Sequence, residues 1–164
     1  MELTDTQAEL AADRKSMDVQ REPVFGHASE TGGERLAVVA REWSTECALN
    51  PRAVALARTR TRTYLTVLGW TGDIDDAVLV VSELVTNAVR HGCESGRVGW
   101  LRLAVLEDGA LLVDVSDPVA GFVRAVDDDE GGRGLQLVRR LGDLSWFLRA
   151  GSDRGKTVRV RLRP

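Results

Sequence analysis

Apolar residues recur through the middle of the chain at steps of three and four. Ile74, Ala77, Val78, Val81, Leu84, Val85 and Ala88 fall on one side of a 3.6-residue helix. Asp73 stands where a capping residue belongs and Gly92 follows as a stop, so the spacing predicts a helix over 73–91. An earlier helix is expected from Asn50-Pro51 to about Gly69, with Val54, Leu56, Ala57, Leu65 and Leu68 as its apolar positions. Downstream the period changes. Residues 98–107 and 110–116 read as strands joined by Asp108-Gly109, a strong hairpin signal. A short helix over 134–141 follows, then a strand pair over 144–150 and 156–162. At the other end, the apolar run Leu36 to Ala40 reads as a strand continuing through Trp43.

Strand, helix, helix, hairpin, loop, helix, hairpin predicts an α+β fold. The expected form is a two-layer α/β sandwich, with helices on one face of a mixed, mostly antiparallel sheet. Residues 1–33 are polar and aperiodic and end in Thr31-Gly32-Gly33, so they read as a flexible tail ahead of one domain over 34–164.

Composition narrows the class. A chain of 164 residues, 43% hydrophobic and 29% charged, suits one ordinary soluble domain. A net charge of -3 argues against a general nucleic-acid binder. No apolar run approaches the roughly 20 residues that span a bilayer. The N-terminus has no secretory hydrophobic core, so a cytoplasmic protein without a membrane role is expected. Cys47 and Cys93 form no CxxC or Cys/His cluster, which points to two reduced thiols rather than a structural zinc. Arg58, Arg60 and Arg62 alternate with threonines, either as a solvated helix face or as a patch for an acidic partner.

Two places can hold chemistry. Glu83 and Asn87 are just over one turn apart on the 73–91 helix, so a carboxylate and a carboxamide project from one side. They suit a metal and water site, or are solvent-facing residues of an amphipathic helix. Gly131-Gly132-Arg133-Gly134-Leu135 sits where the short helix begins. Glycines there let backbone N–H groups approach a phosphate at a helix start, or merely turn the chain. No GK[ST] follows, so this is not a P-loop.

The ordered set says more than its parts. Ser82-Glu83-Leu84-Val85-Thr86-Asn87-Ala88 with His91-Gly92, then Val115-Ser116-Asp117-Pro118, Gly132-Arg133-Gly134-Leu135 and Gly155-Lys156-Thr157-Val158, together resemble the GHKL ATPases. That superfamily includes gyrase, histidine kinases and the mismatch-repair MutL proteins. The wording is most similar to the small serine-kinase anti-sigma factors of the SpoIIAB and RsbW type, over about residues 35–162. The resemblance implies a GHKL-type sandwich that binds ATP with Mg²⁺. It implies Asn87 as the metal ligand, Glu83 as the general base, and Asp117 as acceptor of the adenine amino group. Thr157 would support that edge, directly or through water. Gly121, Gly132, Arg133, Gly134 and Leu135 would lie along the nucleotide, under a lid over 119–132. It further implies a protein serine/threonine kinase, dimeric, that sequesters a sigma factor and phosphorylates a STAS-domain anti-anti-sigma protein.

The chain departs from the family pattern twice. Val119 replaces the first glycine of the Asp-x-Gly-x-Gly box. Asp127, Asp128, Asp129 and Glu130 bring four acids to the lid, where a triphosphate tolerates them only if they are solvated, paired or offset by Mg²⁺. Both features suit a rival reading, a regulator that binds or has lost ATP and acts by sequestration alone. A histidine-kinase catalytic domain fits less well, because neither His27 nor His91 sits on a suitable phosphoacceptor helix. A chaperone-like ATPase would need a transducer domain.

Overall fold

The computed structural model describes residues 37–92, 97–118, 132–149 and 155–164. The expected tail over 1–33, most of the lid with Val119, Gly121 and the acids at 127–130, and Cys93 lie outside these residues. The order is β1 (Val39–Ala48), α1 (Arg52–Val67), α2 (Ile74–Gly92), β2 (Val98–Leu106), β3 (Leu111–Asp117), α3 (Gly132–Leu141), β4 (Asp143–Leu148) and β5 (Lys156–Leu162). The strands form one sheet in the order β1-β2-β3-β5-β4, and all four pairings are antiparallel. The α+β sandwich is as expected, and among the described residues every strand pairing is antiparallel.

Local chemistry sets the helix ends. Asn50 Oδ1 accepts the Arg52 N–H at 2.9 Å across Pro51, which stands at the N-terminal cap of α1. At the other end Gly69 takes φ +63°, and Trp70 N–H reaches back to Leu65 O at 3.1 Å. Asp73 Oδ1 accepts from Asp75 N–H at 2.8 Å and Asp76 N–H at 3.1 Å, which caps α2 as its position suggests. β1 is longer and later than the apolar run at 36–40 implies. Its second half, Trp43 to Ala48, is polar at Ser44, Thr45 and Glu46 and pairs with β2 along its length. Glu42, Ser44 and Glu46 therefore fall on one face of the sheet and Trp43, Thr45 and Cys47 on the other.

The core lies between the sheet and the helices. From α2, Ala77, Val80, Val81, Leu84, Val85 and Ala88 are all buried, against Leu101 and Leu103 of β2, Val113 and Val115 of β3 and Val160 of β5. Trp43 stacks on Tyr64 of α1 with ring centroids 4.0 Å apart. Trp70 Nε1–H donates to Gly109 O at 3.1 Å and ties the end of α1 to the β2–β3 turn. No helix among the described residues is long and apolar enough to cross a membrane.

The opposite face of the sheet carries charge. Asp114 of β3 accepts from Arg159 of β5 at 2.7 and 2.8 Å and from Arg102 of β2 at 3.1 Å, and Arg102 also pairs with Glu42 of β1. The hydrogen bonds that Arg159 donates to Asp114 hold its guanidinium above its ordinary pKa, against a smaller opposing effect of burial. Asp114→Ala leaves two arginines without their shared carboxylate on a sheet that cannot rearrange. The expected loss is about 3 kcal/mol, the low end for a buried pair because both arginines keep some solvent. Urea denaturation measures it, and an unchanged midpoint would contradict it.

Candidate functional site

Glu83 and Asn87 stand one turn apart on α2, beside its buried stripe. Both are half-buried. Glu83 is not a solvent-facing residue, because the first turn of α3 lies over it. A Cβ at Gly134 would collide with the Glu83 carboxylate oxygen Oε2. Glycine at 134 leaves that carboxylate room against the start of α3. It seats a carboxylate beside the start of a helix, where backbone N–H groups lack helical acceptors and positive partial charge collects. Gly132 begins that helix, Arg133 is exposed, and Leu135 packs on the edge of the core. Beyond Asn87, Arg90 is exposed and His91 half-buried at the end of α2.

The second group is at the ends of β3 and β5. Asp117 and Lys156 are direct partners across the two strands, and both are buried, at 3% and 4% exposure. Lys156 Nζ lies 3.1 Å from Asp117 Oδ2 and 3.3 Å from Oδ1. Gly155 makes this possible, since a Cβ there would collide with the Asp117 carbonyl oxygen. The pair sits on the helix-covered face, in line with Val113, Val115, Val158 and Val160.

Thr157 is not on that face. It is the partner of Ser116, and the two hydroxyls share a 2.7 Å hydrogen bond on the opposite side of the sheet. The expected support of the Asp117 edge by Thr157 thus meets a different geometry, in which Lys156 occupies that place. The signal for Lys156 was present in the sequence. Val158, Val160 and Leu162 alternate as core residues, and a period of two puts Lys156 with them and Thr157 on the other face.

The donor set fits a magnesium nucleotide. Among the described residues no group of three or more His, Cys, Asp or Glu converges to hold an ion by itself. A Mg²⁺ at Asn87 would therefore draw most of its oxygens from phosphate and water, as that ion commonly does. The space where Gly134 has no side chain is taken by the Glu83 carboxylate, so a phosphate would lie beside it along the N–H groups that open α3. Asp117 supplies an acceptor for an amino group, with Lys156 offsetting its charge.

The buried pair carries a stability prediction. Lys156→Met removes the ammonium from a buried carboxylate and should cost about 3–5 kcal/mol. The double variant Asp117→Asn with Lys156→Met should recover more than half of that, since neither group then carries charge. Thermal and urea unfolding of the two variants decide it. Equal losses in the single and double variants would show that the pair is not coupled.

Comparison with known proteins supplies the family. The model of the histidine kinase-like ATPase domain matches residues 47–162. No curated protein matches the sequence. Among solved structures, the SiaB-SiaC complex from Pseudomonas aeruginosa is similar over 99% of both chains, with a TM-score of 0.57 and 14% identity. The histidine kinase domain of the blue-light activated histidine kinase from Erythrobacter litoralis EL346 is 29% identical over 54% of this chain, with a TM-score of 0.43. This chain spans 43% of that kinase. The family match runs from the end of β1 through β5 and takes in Glu83, Asn87, Gly134, Asp117 and Lys156, and the chain belongs to the histidine kinase-like ATPase domain family, of the GHKL type.

Proposed function

We propose that this chain is an ATP-dependent serine/threonine protein kinase that also sequesters a sigma factor, and that it phosphorylates a serine of a STAS-domain anti-anti-sigma protein. The observation that carries the reading is the seat of Glu83, its carboxylate against the glycine start of α3 with Asn87 one turn along α2. A carboxylate held there stands beside the place where a helix start favours phosphate. Phosphoryl transfer depends mainly on such positioning and on charge neutralisation.

In this reading Asn87 holds Mg²⁺, which supplies charge neutralisation at the phosphates. The N–H groups of Gly132, Arg133, Gly134 and Leu135 orient the triphosphate. Glu83 accepts the proton of the serine hydroxyl as its oxygen bonds to the γ-phosphorus and the bond to the ADP oxygen breaks. Asp117 accepts from the adenine amino group, and Gly121 belongs to the lid. The chain works in the cytoplasm as a homodimer. Phosphorylation releases the antagonist and leaves the kinase free to hold sigma. The occurrence of the same fold in a two-protein complex is consistent with a protein partner.

A second reading rests on one observation. The Asp117 carboxylate already has Lys156 as a close partner, and an adenine must share it. A chain in which that sharing fails would bind partners without transferring phosphate. Incubation of the chain with Mg-ATP and its antagonist separates the readings. Phosphoserine on the antagonist is expected, and bound but unmodified antagonist would overturn the kinase. Glu83→Ala should keep nucleotide binding and lose transfer by about 10²–10⁴-fold, the usual worth of a positioned base. Equal turnover by that variant would remove Glu83 from the role.

A further inference from the structure

The Asp117–Lys156 pair offers more than an acceptor. The two residues face each other across β3 and β5. Lys156 Nζ is 3.1 Å from Asp117 Oδ2 and 3.3 Å from Oδ1, and both residues are buried. On its other side the row continues from Lys156 into β4 with Leu148. The carboxylate of this row therefore comes from β3, and β4 brings an apolar side chain. α2, which carries Glu83 and Asn87, packs on the same face of the sheet. Thr157 is on the opposite face, hydrogen-bonded to Ser116. A donor and an acceptor thus stand side by side on the nucleotide face, and the donor is an ammonium rather than a hydroxyl.

That arrangement constrains what can use the carboxylate. A buried ammonium is costly unless acceptors surround it. A ligand that brought only a donor would compete with Lys156 for the Asp117 oxygens. A ligand that brought a donor with an acceptor beside it would satisfy both members. Adenine has such an edge. Its amino group donates, and the neighbouring ring nitrogen N1 accepts, both bonded to one ring carbon. The polar atoms of the pair, 3.1 and 3.3 Å apart, match two neighbouring atoms of one ring edge. An ammonium carries three donors on a rotatable head, so it can serve the ring and the carboxylate together. Guanine presents the reverse order at the same two positions, a carbonyl oxygen and then an N–H.

We propose that Lys156 determines base specificity: its ammonium donates to N1 of adenine while Asp117 accepts from the amino group. This rests on the reading of Asp117 as the adenine acceptor and adds a second, charged contact on the same edge. Guanine in that position sets its carbonyl oxygen against the Asp117 carboxylate and its N–H against the ammonium. The pair attracts one purine and repels the other, so selectivity has a repulsive element as well as an attractive one.

Calorimetric titration of the full-length chain with nucleotide and Mg²⁺, without any protein partner, tests this through affinity alone. The ligands are ATP, 1-deaza-ATP, in which N1 is a C–H, purine riboside triphosphate, which lacks the amino group, and GTP. 1-Deaza-ATP should bind about 10- to 100-fold more weakly than ATP, the worth of a hydrogen bond to a charged group, and GTP more weakly still. In Lys156→Met the gap between ATP and 1-deaza-ATP should close. Lys156→Arg keeps a charged donor and should keep most of the gap. Where Lys156→Met does not fold, the native chain and Lys156→Arg decide. Equal affinities for ATP and 1-deaza-ATP in the native chain would overturn the proposal. So would a gap that persists in folded Lys156→Met, or GTP binding as tightly as ATP. Purine riboside triphosphate separates the proposal from the reading beneath it. Affinity equal to that of ATP removes Asp117 from the amino group and the shared edge with it. A loss there, with 1-deaza-ATP unaffected, removes Lys156 alone.

Discussion

The burial of α2 against β3 is the constraint on which the rest of the molecule depends. Its stripe from Ala77 to Ala88 is sealed from water and meets Val113 and Val115. Once that face is fixed, the rotation of the helix is fixed, and the positions of Glu83 and Asn87 follow from the 3.6-residue turn. α3 then packs across α2, and Gly134 lets it approach the Glu83 carboxylate. A carboxylate on a surface helix becomes a half-buried group at the start of another helix. Neither residue would be remarkable on an isolated α2; packing gives them a setting in which phosphate chemistry is reasonable.

Charge is handled differently on the two faces of the sheet. On the open face, Asp114 is shared by Arg102 and Arg159, and the ladder reaches Glu42 at the edge, so the strands are tied by contacts that keep some water. On the helix side, the Asp117–Lys156 pair is almost fully buried at the end of the core. A lone carboxylate there would be expensive, and the adjacent ammonium offsets it. The pair therefore holds a charged acceptor at the end of an apolar core.

Much of this was legible in the sequence. The 3, 4, 7 spacing of α2 and its Asp73 cap gave the helix its place, and Asp108-Gly109 marked the hairpin, with Gly109 at φ +84° as its turn requires. β1 was misplaced because an edge strand with one solvated face lacks a continuous apolar run, and its pairing with β2 is a long-range fact. The half-burial of Glu83 was not legible because α3, which covers it, is some fifty residues further on. Lys156 was overlooked beside Thr157 although strand alternation separates them, since the motif draws attention to the hydroxyl.

The central claim is that Glu83, Asn87, Asp117 and Lys156 line one nucleotide site. A crystal structure of the chain with Mg²⁺ and a non-hydrolysable ATP analogue tests it directly. The account predicts the adenine amino group on Asp117, the triphosphate at the start of α3, and a magnesium ion on Asn87 within reach of Glu83. An analogue bound elsewhere, or these four residues unchanged and without ligand at millimolar nucleotide, would contradict it.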